Sequence, residues 1–227
     1  MASQNQPQQD ETAIDKMNSQ LTAAGDKIAN NKKIIVWGVG AIIVVAALVL
    51  GYLFLYSKPH NKASFEAFNK VETEAMGNDS LAAVKYKEVA DKYSGDKAGK
   101  LAALSAGEAL YNQAKYEEAA EYLKKFSSND PLLEANTLVL IGDCYVNLKK
   151  YDEAIDWFQK AVRKANSNPQ IVPRVLLKEA NVFDEQKKYD KALDCYKQIK
   201  ESYPDFKMGN GLEIDAYIAR ENARIGK

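Results

Sequence analysis

Repetition constrains the fold of this chain more than any other feature. The stretch KKYDEAIDWFQKAV, residues 149–162, nearly recurs as KKYDKALDCYKQI, residues 187–199. A weaker copy surrounds Tyr116, and spacings of 35 and 38 residues separate Tyr116, Tyr151 and Tyr189. A period of this length indicates an array of supersecondary units, because one such unit cannot bury its apolar face without its neighbours.

Apolar residues recur at fixed offsets after each of these tyrosines. In chain order they are Ala119, Leu123 and Phe126; Ala154, Phe158 and Ala161; and Ala192, Tyr196 and Ile199. The offsets predict a helix of about three and a half turns with one buried stripe. Pro131, Pro169 and Pro204 close the three units because proline cannot continue a helix.

A preceding helix with its own apolar face is predicted in each unit. Its buried positions are Ala103, Ala106, Gly107 and Leu110; Leu138, Ile141, Gly142 and Tyr145; and Leu176, Glu179, Ala180 and Phe183. Gly142 leaves space for the neighbouring helix to come close. Glu179 stands where an apolar residue is expected, and we interpret it as an adaptation to the end of the array.

This order of small residues, aromatic residues and prolines resembles the tetratricopeptide repeat over Leu101 to Asp205. A degenerate fourth copy precedes it, with Ala82, Tyr86, Val89 and Tyr93 at the matching positions. The segment from Gly211 to Gly226 is predicted to form a closing helix, with Ile214, Tyr217, Ile218 and Ala219 inward and its charges outward. The resemblance implies an all-α solenoid of helical hairpins: three clear repeats, one degenerate N-terminal repeat and one C-terminal capping helix.

The resemblance also implies a partner-binding groove, lined by the first helix of each unit. The predicted groove residues are Leu104, Glu108, Tyr111 and Asn112; Asn136, Val139, Asp143 and Val146; and Arg174, Leu177, Asn181 and Asp184. This mixture suits an extended peptide or a partner helix, and the alternative is plain solvated surface. Family members that grip a C-terminal carboxylate carry a lysine and asparagines where this chain has Leu104, Glu108 and Asp143. We therefore expect no carboxylate clamp.

A long uncharged run precedes the repeats. Ile34 to Tyr56 contains 23 residues without a charge, which as a helix would extend about 34 Å and cross a hydrocarbon core of about 30 Å. A cleaved signal would have a shorter apolar region and a small-residue cleavage site, which YSKPHNK lacks. We predict an uncleaved transmembrane signal-anchor. Gly40, Ala47 and Gly51 share one face, which predicts close packing on another membrane helix, although such residues are common in single spans.

Lysines predict the orientation of this span. Lys16, Lys27, Lys32 and Lys33 precede it, whereas Lys58, Lys62 and Lys70 follow it. Because Lys32 and Lys33 abut the apolar run, we predict a cytoplasmic N-terminus and an extracytoplasmic repeat domain. In a Gram-negative bacterium this means the inner membrane and the periplasm. The predicted domains are a polar cytosolic tail at 1–33, the signal-anchor at 34–56, a linker at 57–61 and the repeat domain at 62–227.

The polar tail contains one apolar periodicity. From Asp10 onward, the residues that recur on one side of a predicted helix are Ile14, Met17, Leu21, Ala24 and Ile28. The pattern is typical of a frayed helix of no consequence or of an amphipathic segment on the inner leaflet or on the cytosolic face of a partner.

Charge and reactive residues argue against nucleic-acid binding and catalysis. The chain has 31 basic and 31 acidic residues, so no basic surface is implied. Cys144 and Cys195 fall inside predicted helices, which favours two free buried thiols over a disulfide. His60 is the only histidine, and we interpret it as a solvated linker residue. With no nucleophile pairing, phosphate loop or metal motif, we predict a protein that is not an enzyme and needs no cofactor.

The order of these segments resembles the YfgM-type ancillary subunits of the Sec translocon. This resemblance implies a role beside the SecYEG channel, relaying emerging unfolded polypeptides to periplasmic chaperones, with a membrane-anchored prolyl isomerase as a further partner. The alternative is a structural scaffold for an envelope-assembly or cell-division complex. The fold alone does not decide between these functions.

Overall fold

The computed structural model describes residues 13–30, 32–207 and 213–226. All regular structure in these ranges is helical. The α-helices are α1 (Ala13–Asn30), α2 (Lys32–Gly51), α3 (Lys58–Glu74), α4 (Asp79–Lys92), α5 (Lys97–Asn112), α6 (Tyr116–Leu123), α7 (Pro131–Asn147), α8 (Tyr151–Ala165), α9 (Val172–Glu185), α10 (Tyr189–Ser202) and α11 (Ile214–Ile225). A π-helical segment, Tyr52–Ser57, lies between α2 and α3 in the chain. The chain divides into two compact units, residues 1–59 and 60–227.

The first unit contains the apolar run. Among the described residues, one helical stretch, Val36–Glu74, is long and apolar enough to cross a membrane. Its most apolar window has a mean hydropathy of 2.6, and none of that window is buried. Length and composition carry this result, so the signal-anchor and its orientation stay predictions.

Two other segments of the N-terminal region are also helical. Residues 57–61, interpreted above as a linker, end the π-helical segment and begin α3. The predicted amphipathic segment forms α1, in which Ile14, Met17 and Leu21 are all exposed. The side chains of Ala24 and Ile28 lie outside the described set.

The second unit contains the predicted helix pairs. α5 with α6, α7 with α8 and α9 with α10 form the three clear repeats, and α4 is the second helix of the degenerate one. The predicted stripe is buried in every repeat, its nine members being Ala119, Leu123, Phe126, Ala154, Phe158, Ala161, Ala192, Tyr196 and Ile199. These burials confirm the alignment of the repeats.

Glycine permits the close crossing of the paired helices. A Cβ atom added at Gly142 would lie 2.4 Å from the Cε1 atom of Phe158, and one added at Gly107 would lie 2.5 Å from the Cγ atom of Leu123. Real Cβ atoms do not approach other carbons this closely. In each of these pairs the large side chain of the second helix therefore packs directly against the glycine backbone of the first helix.

The three repeats use the same tight turn. Ala114, Lys149 and Lys187 each adopt the left-handed conformation with φ of 58°. In each turn an N–H group of the residue that follows donates to a carbonyl near the end of the first helix, as Lys150 does to Tyr145 at 2.9 Å. The two helices of each repeat are therefore joined through the same local backbone conformation.

The first repeat departs from the predicted helix length. α8 has 15 residues and α10 has 14, but α6 has only 8. Seven residues separate the end of α6 from α7, and the Asp130 carboxylate caps α7 by accepting hydrogen bonds from the N–H groups of Leu132 at 2.9 Å and Leu133 at 3.3 Å. Trp157 of α8 packs beside the shortened helix and stacks on Tyr145 with ring centroids 6.5 Å apart.

Glu179 lies in the core, at the buried position that the alignment assigns to it, and its interpretation as an end-of-array adaptation stays a prediction. Its side chain is 6% exposed, and Nε2 of Gln159 donates a hydrogen bond to its Oε1 atom at 3.1 Å. Burial raises the pKa of Glu179, and the bond from Gln159 opposes that rise. The amide group of Gln159 therefore supplies a hydrogen bond to a carboxyl group that is otherwise surrounded by apolar residues.

The closing helix was predicted partly wrongly. Ile214, Tyr217 and Ile218 are half-buried as expected, but Ala219 is exposed. Glu221, one of the charges expected to face outward, is completely buried. Its carboxylate is paired with Arg220 and Arg224 of the same helix. The cationic partners make burial of this charge tolerable.

The predictions for cysteine and histidine had different outcomes. Cys144 and Cys195 are buried and free, as predicted, and burial raises the pKa of each thiol to about 12. The interpretation of His60 as a solvated linker residue is wrong. Its Nε2 atom lies 3.1 Å from Oδ2 of Asp96, and its ring centroid lies 5.4 Å from that of Tyr93.

Candidate protein-binding site

The twelve predicted groove residues lie on α5, α7 and α9, and we call the surface that they mark the groove face. Leu104, Val139 and Leu177 occupy equivalent positions and are half-buried against the core below. Five members are exposed, namely Glu108, Asn112, Asn136, Arg174 and Asn181. The groove face therefore combines a fixed apolar base with polar side chains that reach solvent.

Polar bridges connect successive first helices across the groove face. Nζ of Lys178 on α9 donates to both carboxylate oxygens of Asp143 on α7, at 2.9 and 3.0 Å. Nδ2 of Asn147 on α7 donates to the Tyr111 hydroxyl on α5 at 3.3 Å. Two of the predicted groove residues, Tyr111 and Asp143, are therefore already hydrogen-bonded within the protein.

A third bridge joins α9 to the closing helix. Asp184 accepts hydrogen bonds from Arg220 and from Arg224, whose Nη1 atom lies 3.3 Å from its Oδ1 atom. Arg220 also donates to the Tyr196 hydroxyl at 3.3 Å. Asp184 therefore anchors α11, and its carboxylate is already engaged.

The acidic groove residues differ in how their charge is compensated. Burial raises the pKa of Asp143, and Lys178 acts in the opposite direction. Burial likewise raises the pKa of Asp184, while Arg220 and Arg224 oppose the rise. Desolvation alone raises the pKa of Glu108 although its side chain reaches solvent, and no described basic residue offsets the effect.

A hollow of about 400 Å³ lies between α7, α9 and the turn that precedes α9. Three predicted groove residues, Asn136, Val139 and Arg174, line it. The other lining residues are Leu132, Asn168, Gln170, Ile171, Val175 and Lys178. We call this the first hollow.

A second hollow of about 340 Å³ shares Gln170 and Arg174 with the first. Its remaining lining residues are Pro169, Ser202, Tyr203, Pro204, Asp205, Phe206 and Lys207. Arg174 therefore stands on the ridge between two concave surfaces.

Sequence reasoning found only part of this site. It placed Asn136, Val139 and Arg174 correctly on one surface, but missed Lys178, Asn147 and Arg220, which form the bridges. Lys178 stands 35 residues after Asp143, three residues before the position that the 38-residue repeat spacing aligns with Asp143, so the spacing did not single it out. The residues of the turn before α9 carried no signal either.

The predicted membrane-packing face remains open in the described structure. A Cβ atom added at Gly40 or Gly51 would meet no atom within 4 Å, and Ala47 is exposed. Its use by another helix stays a prediction. Among the described residues, no group of three or more His, Cys, Asp or Glu side chains is placed to hold a metal ion.

Comparison with known families agrees with this geometry. Residues 82–169 and residues 174–205 each match a sequence model of the tetratricopeptide repeat. The chain contains tetratricopeptide repeats. Such arrays present extended surfaces that bind other proteins, so the repeats indicate a protein-interaction module.

Solved structures with a similar fold include crystal structures of MamA. One is 20% identical, has a TM-score of 0.55, and aligns over 74% of this chain and 83% of the MamA chain. MamA AMB-1 in a P212121 crystal is 23% identical, has a TM-score of 0.54, and aligns over 72% of this chain and 83% of the MamA chain. This likeness shows the fold alone. No curated protein sequence matches the chain.

Proposed function

We propose that this protein is a membrane-anchored tetratricopeptide repeat module whose groove face binds polypeptide. The observation that carries the proposal is the first hollow, where an apolar base is open to solvent beside exposed polar groups. Peptide-binding surfaces combine apolar pockets with a few polar groups that fix orientation. The uncovered apolar stretch within Val36–Glu74 supports the membrane anchor.

A finer proposal concerns where the module works. We propose an accessory role at the exit of the Sec translocon, with SecYEG and a membrane-anchored prolyl isomerase as neighbours and unfolded polypeptides as clients. The order of segments supports it, because one apolar helix followed by repeats would hold the binding face near newly exported chains. In this arrangement the repeats relay clients to periplasmic chaperones.

Site-specific photo-cross-linking in cells tests polypeptide binding. Benzoyl-phenylalanine in place of Asn136 reports on the first hollow, and the same residue in place of Lys197, exposed on α10, is the control. We expect cross-linked polypeptides from position 136 and few from position 197. Equal labelling at the two positions, or none at either, would contradict binding at the groove face.

Blocking protein synthesis separates a client relay from a resident scaffold. When synthesis stops, emerging chains disappear, so cross-links to clients at position 136 should vanish within minutes. Persistence of one stoichiometric cross-linked partner would instead favour the scaffold in envelope assembly or cell division. Mass spectrometry of the cross-linked bands identifies the partners.

An enzyme fusion tests the orientation. Alkaline phosphatase matures only where disulfides form, so a fusion after Lys227 should be active if the repeats are extracytoplasmic. An inactive fusion that is expressed at full length would reverse the orientation and remove the translocon-exit role, while leaving the polypeptide-binding proposal untouched.

A further inference from the structure

The turn before α9 gives the first hollow a defined wall. Asn166 and Ser167 adopt left-handed conformations with φ of 47° and 61°. The Asn168 side chain then accepts hydrogen bonds from the N–H groups of Gln170 at 2.9 Å and Ile171 at 3.1 Å. A turn closed by its own side chain presents Ile171 to the hollow in one orientation.

The base of the hollow is apolar and reachable. Val139 of α7 and Ile171 line it and are half-buried, whereas Val175 of α9 is almost completely buried. Leu132, at the start of α7, is 45% exposed. An apolar side chain from a partner would therefore replace water against aliphatic groups, which is favourable at roughly 25 cal/mol per Å².

Positive charge borders this apolar base. Arg174 and Lys178 stand one turn apart on α9, and Asn136 faces them from α7. Asp143 engages Lys178, but the Lys178 side chain is still 43% exposed. Arg174 is exposed and forms no ion pair with any residue that the structure describes. The border therefore has one uncompensated guanidinium group, which suits a carboxylate.

We propose that the two hollows bind an extended internal segment of a polypeptide in which an Asp or Glu is flanked by large apolar residues. The carboxylate pairs with Arg174 on the ridge, and the apolar neighbours occupy the hollows on its two sides. Concave surface lies on both sides of Arg174 and favours a chain that runs through the site; Tyr203, Pro204 and Phe206 contribute apolar lining to the second hollow, beside Asp205 and Lys207. A chain-terminal carboxylate would end at the ridge and leave the second hollow unused. The inference rests on the proposed polypeptide binding and specifies its substrate class.

Peptide binding to the full-length protein in lipid nanodiscs provides the test. The probe is a fluorescein-labelled, C-terminally amidated peptide, GSSLEFSSG, and its matched control replaces the central Glu by Gln. A third peptide, GSSGSSLF with a free C-terminal carboxylate, tests whether the site instead binds the carboxylate at the end of a polypeptide chain. We expect fluorescence anisotropy to show at least about tenfold tighter binding of the Glu peptide than of the Gln peptide, as a charge-assisted pair predicts.

Matched variants assign the charge effect to the ridge. Arg174→Gln should abolish the preference for Glu, whereas Arg163→Gln, an equal change at an exposed position on α8, should leave it intact. Leu132→Ser should weaken both amidated peptides because it removes exposed apolar surface from the first hollow. Circular dichroism of each variant establishes that the helices are retained.

Each outcome decides for or against the proposal. Equal binding of the Glu and Gln peptides, or a preference that survives Arg174→Gln, would overturn it. Binding of the free-carboxylate peptide alone would overturn it in favour of chain-terminal recognition. If no peptide binds while cross-linking at position 136 succeeds, the substrate class is wrong and the proposed function stands. Selective peptide binding without cross-linking in cells would support the substrate class and count against the proposed handling of clients at the translocon exit.

Discussion

The apolar helix α2 and the repeat helix α8 distribute apolar side chains in opposite ways. Along α2, Val36, Trp37 and Leu48 point in different directions and are each more than two-thirds exposed. Along α8, Ala154 and Phe158 form one completely buried stripe. A helix that is apolar on every side needs an apolar environment around it, such as a membrane. A helix with one apolar stripe buries that stripe against the next helix of the chain. The predictions below test this difference.

The largest effect is expected where a charge enters the repeat stripe. Ala154→Arg places an unpaired cation in a completely buried inter-helix contact, so the free energy of unfolding should fall by more than about 4 kcal/mol. Ala216→Arg on the exposed side of α11 is the matched control and should change it by less than about 0.5 kcal/mol. Thermal unfolding followed by circular dichroism measures both, and a normal melting temperature for Ala154→Arg would show that the repeat alignment is wrong.

A single methyl group should distinguish the glycines of the two regions. Gly142→Ala forces the buried ring of Phe158 to move, because the new Cβ would lie 2.4 Å from its Cε1 atom, and should destabilise the repeats by about 2 kcal/mol. Gly40→Ala meets nothing within 4 Å and should leave the unfolding of the repeats unchanged. Equal melting temperatures for the two variants would refute close crossing at Gly142.

A smaller and pH-dependent effect is expected at Glu179. Burial raises its pKa, so the folded protein holds this proton more tightly than the unfolded chain does. Stability therefore falls as the pH rises from the unfolded value of about 4.3 through the folded pKa, and stays lower above it.

Glu179→Gln removes the buried charge and keeps a group that can bond to Gln159. It should stabilise the protein at pH 8 by on the order of 1 kcal/mol, and the gain should shrink as the pH approaches the unfolded pKa. Glu185→Gln, at an exposed position on the same helix, is the control. Melting temperatures from pH 4.5 to 8 measure the trend; a gain that is constant with pH would exclude this explanation.

No change in repeat stability is expected from the membrane-packing face. Gly40→Leu combined with Gly51→Leu should insert normally and leave the melting temperature of the repeats unchanged, because a Cβ atom added at either glycine meets no described atom within 4 Å. If another helix packs there, recovery of membrane partners in mild detergent should fall. Unchanged recovery, also after replacement of residues 34–56 by an unrelated span, would leave all recognition to the groove face.

The repeat fold was predictable because its signals are local. The offset from Tyr151 to Phe158 and the small residue at Gly142 specify a helical stripe and a close crossing, and both are read within one repeat. The sequence is least informative where a charged residue is buried. Glu221 was expected to face outward but is buried, because Arg220 and Arg224 supply partners. Glu179 is buried at its predicted position, where Gln159 supplies a partner that the sequence pattern did not indicate.

The sequence by itself determined the helix pairs, the buried stripes and the uncharged run of Ile34 to Tyr56, since helical periodicity and hydrocarbon length act on neighbouring residues. Only the tertiary structure decided which polar groups meet across the repeats. Lys178 reaches Asp143 from 35 residues away, and Arg174 becomes a ridge only because the turn before α9 opens a hollow on each side. Such contacts depend on the stacking angle and spacing of successive helices, which a one-dimensional period does not specify.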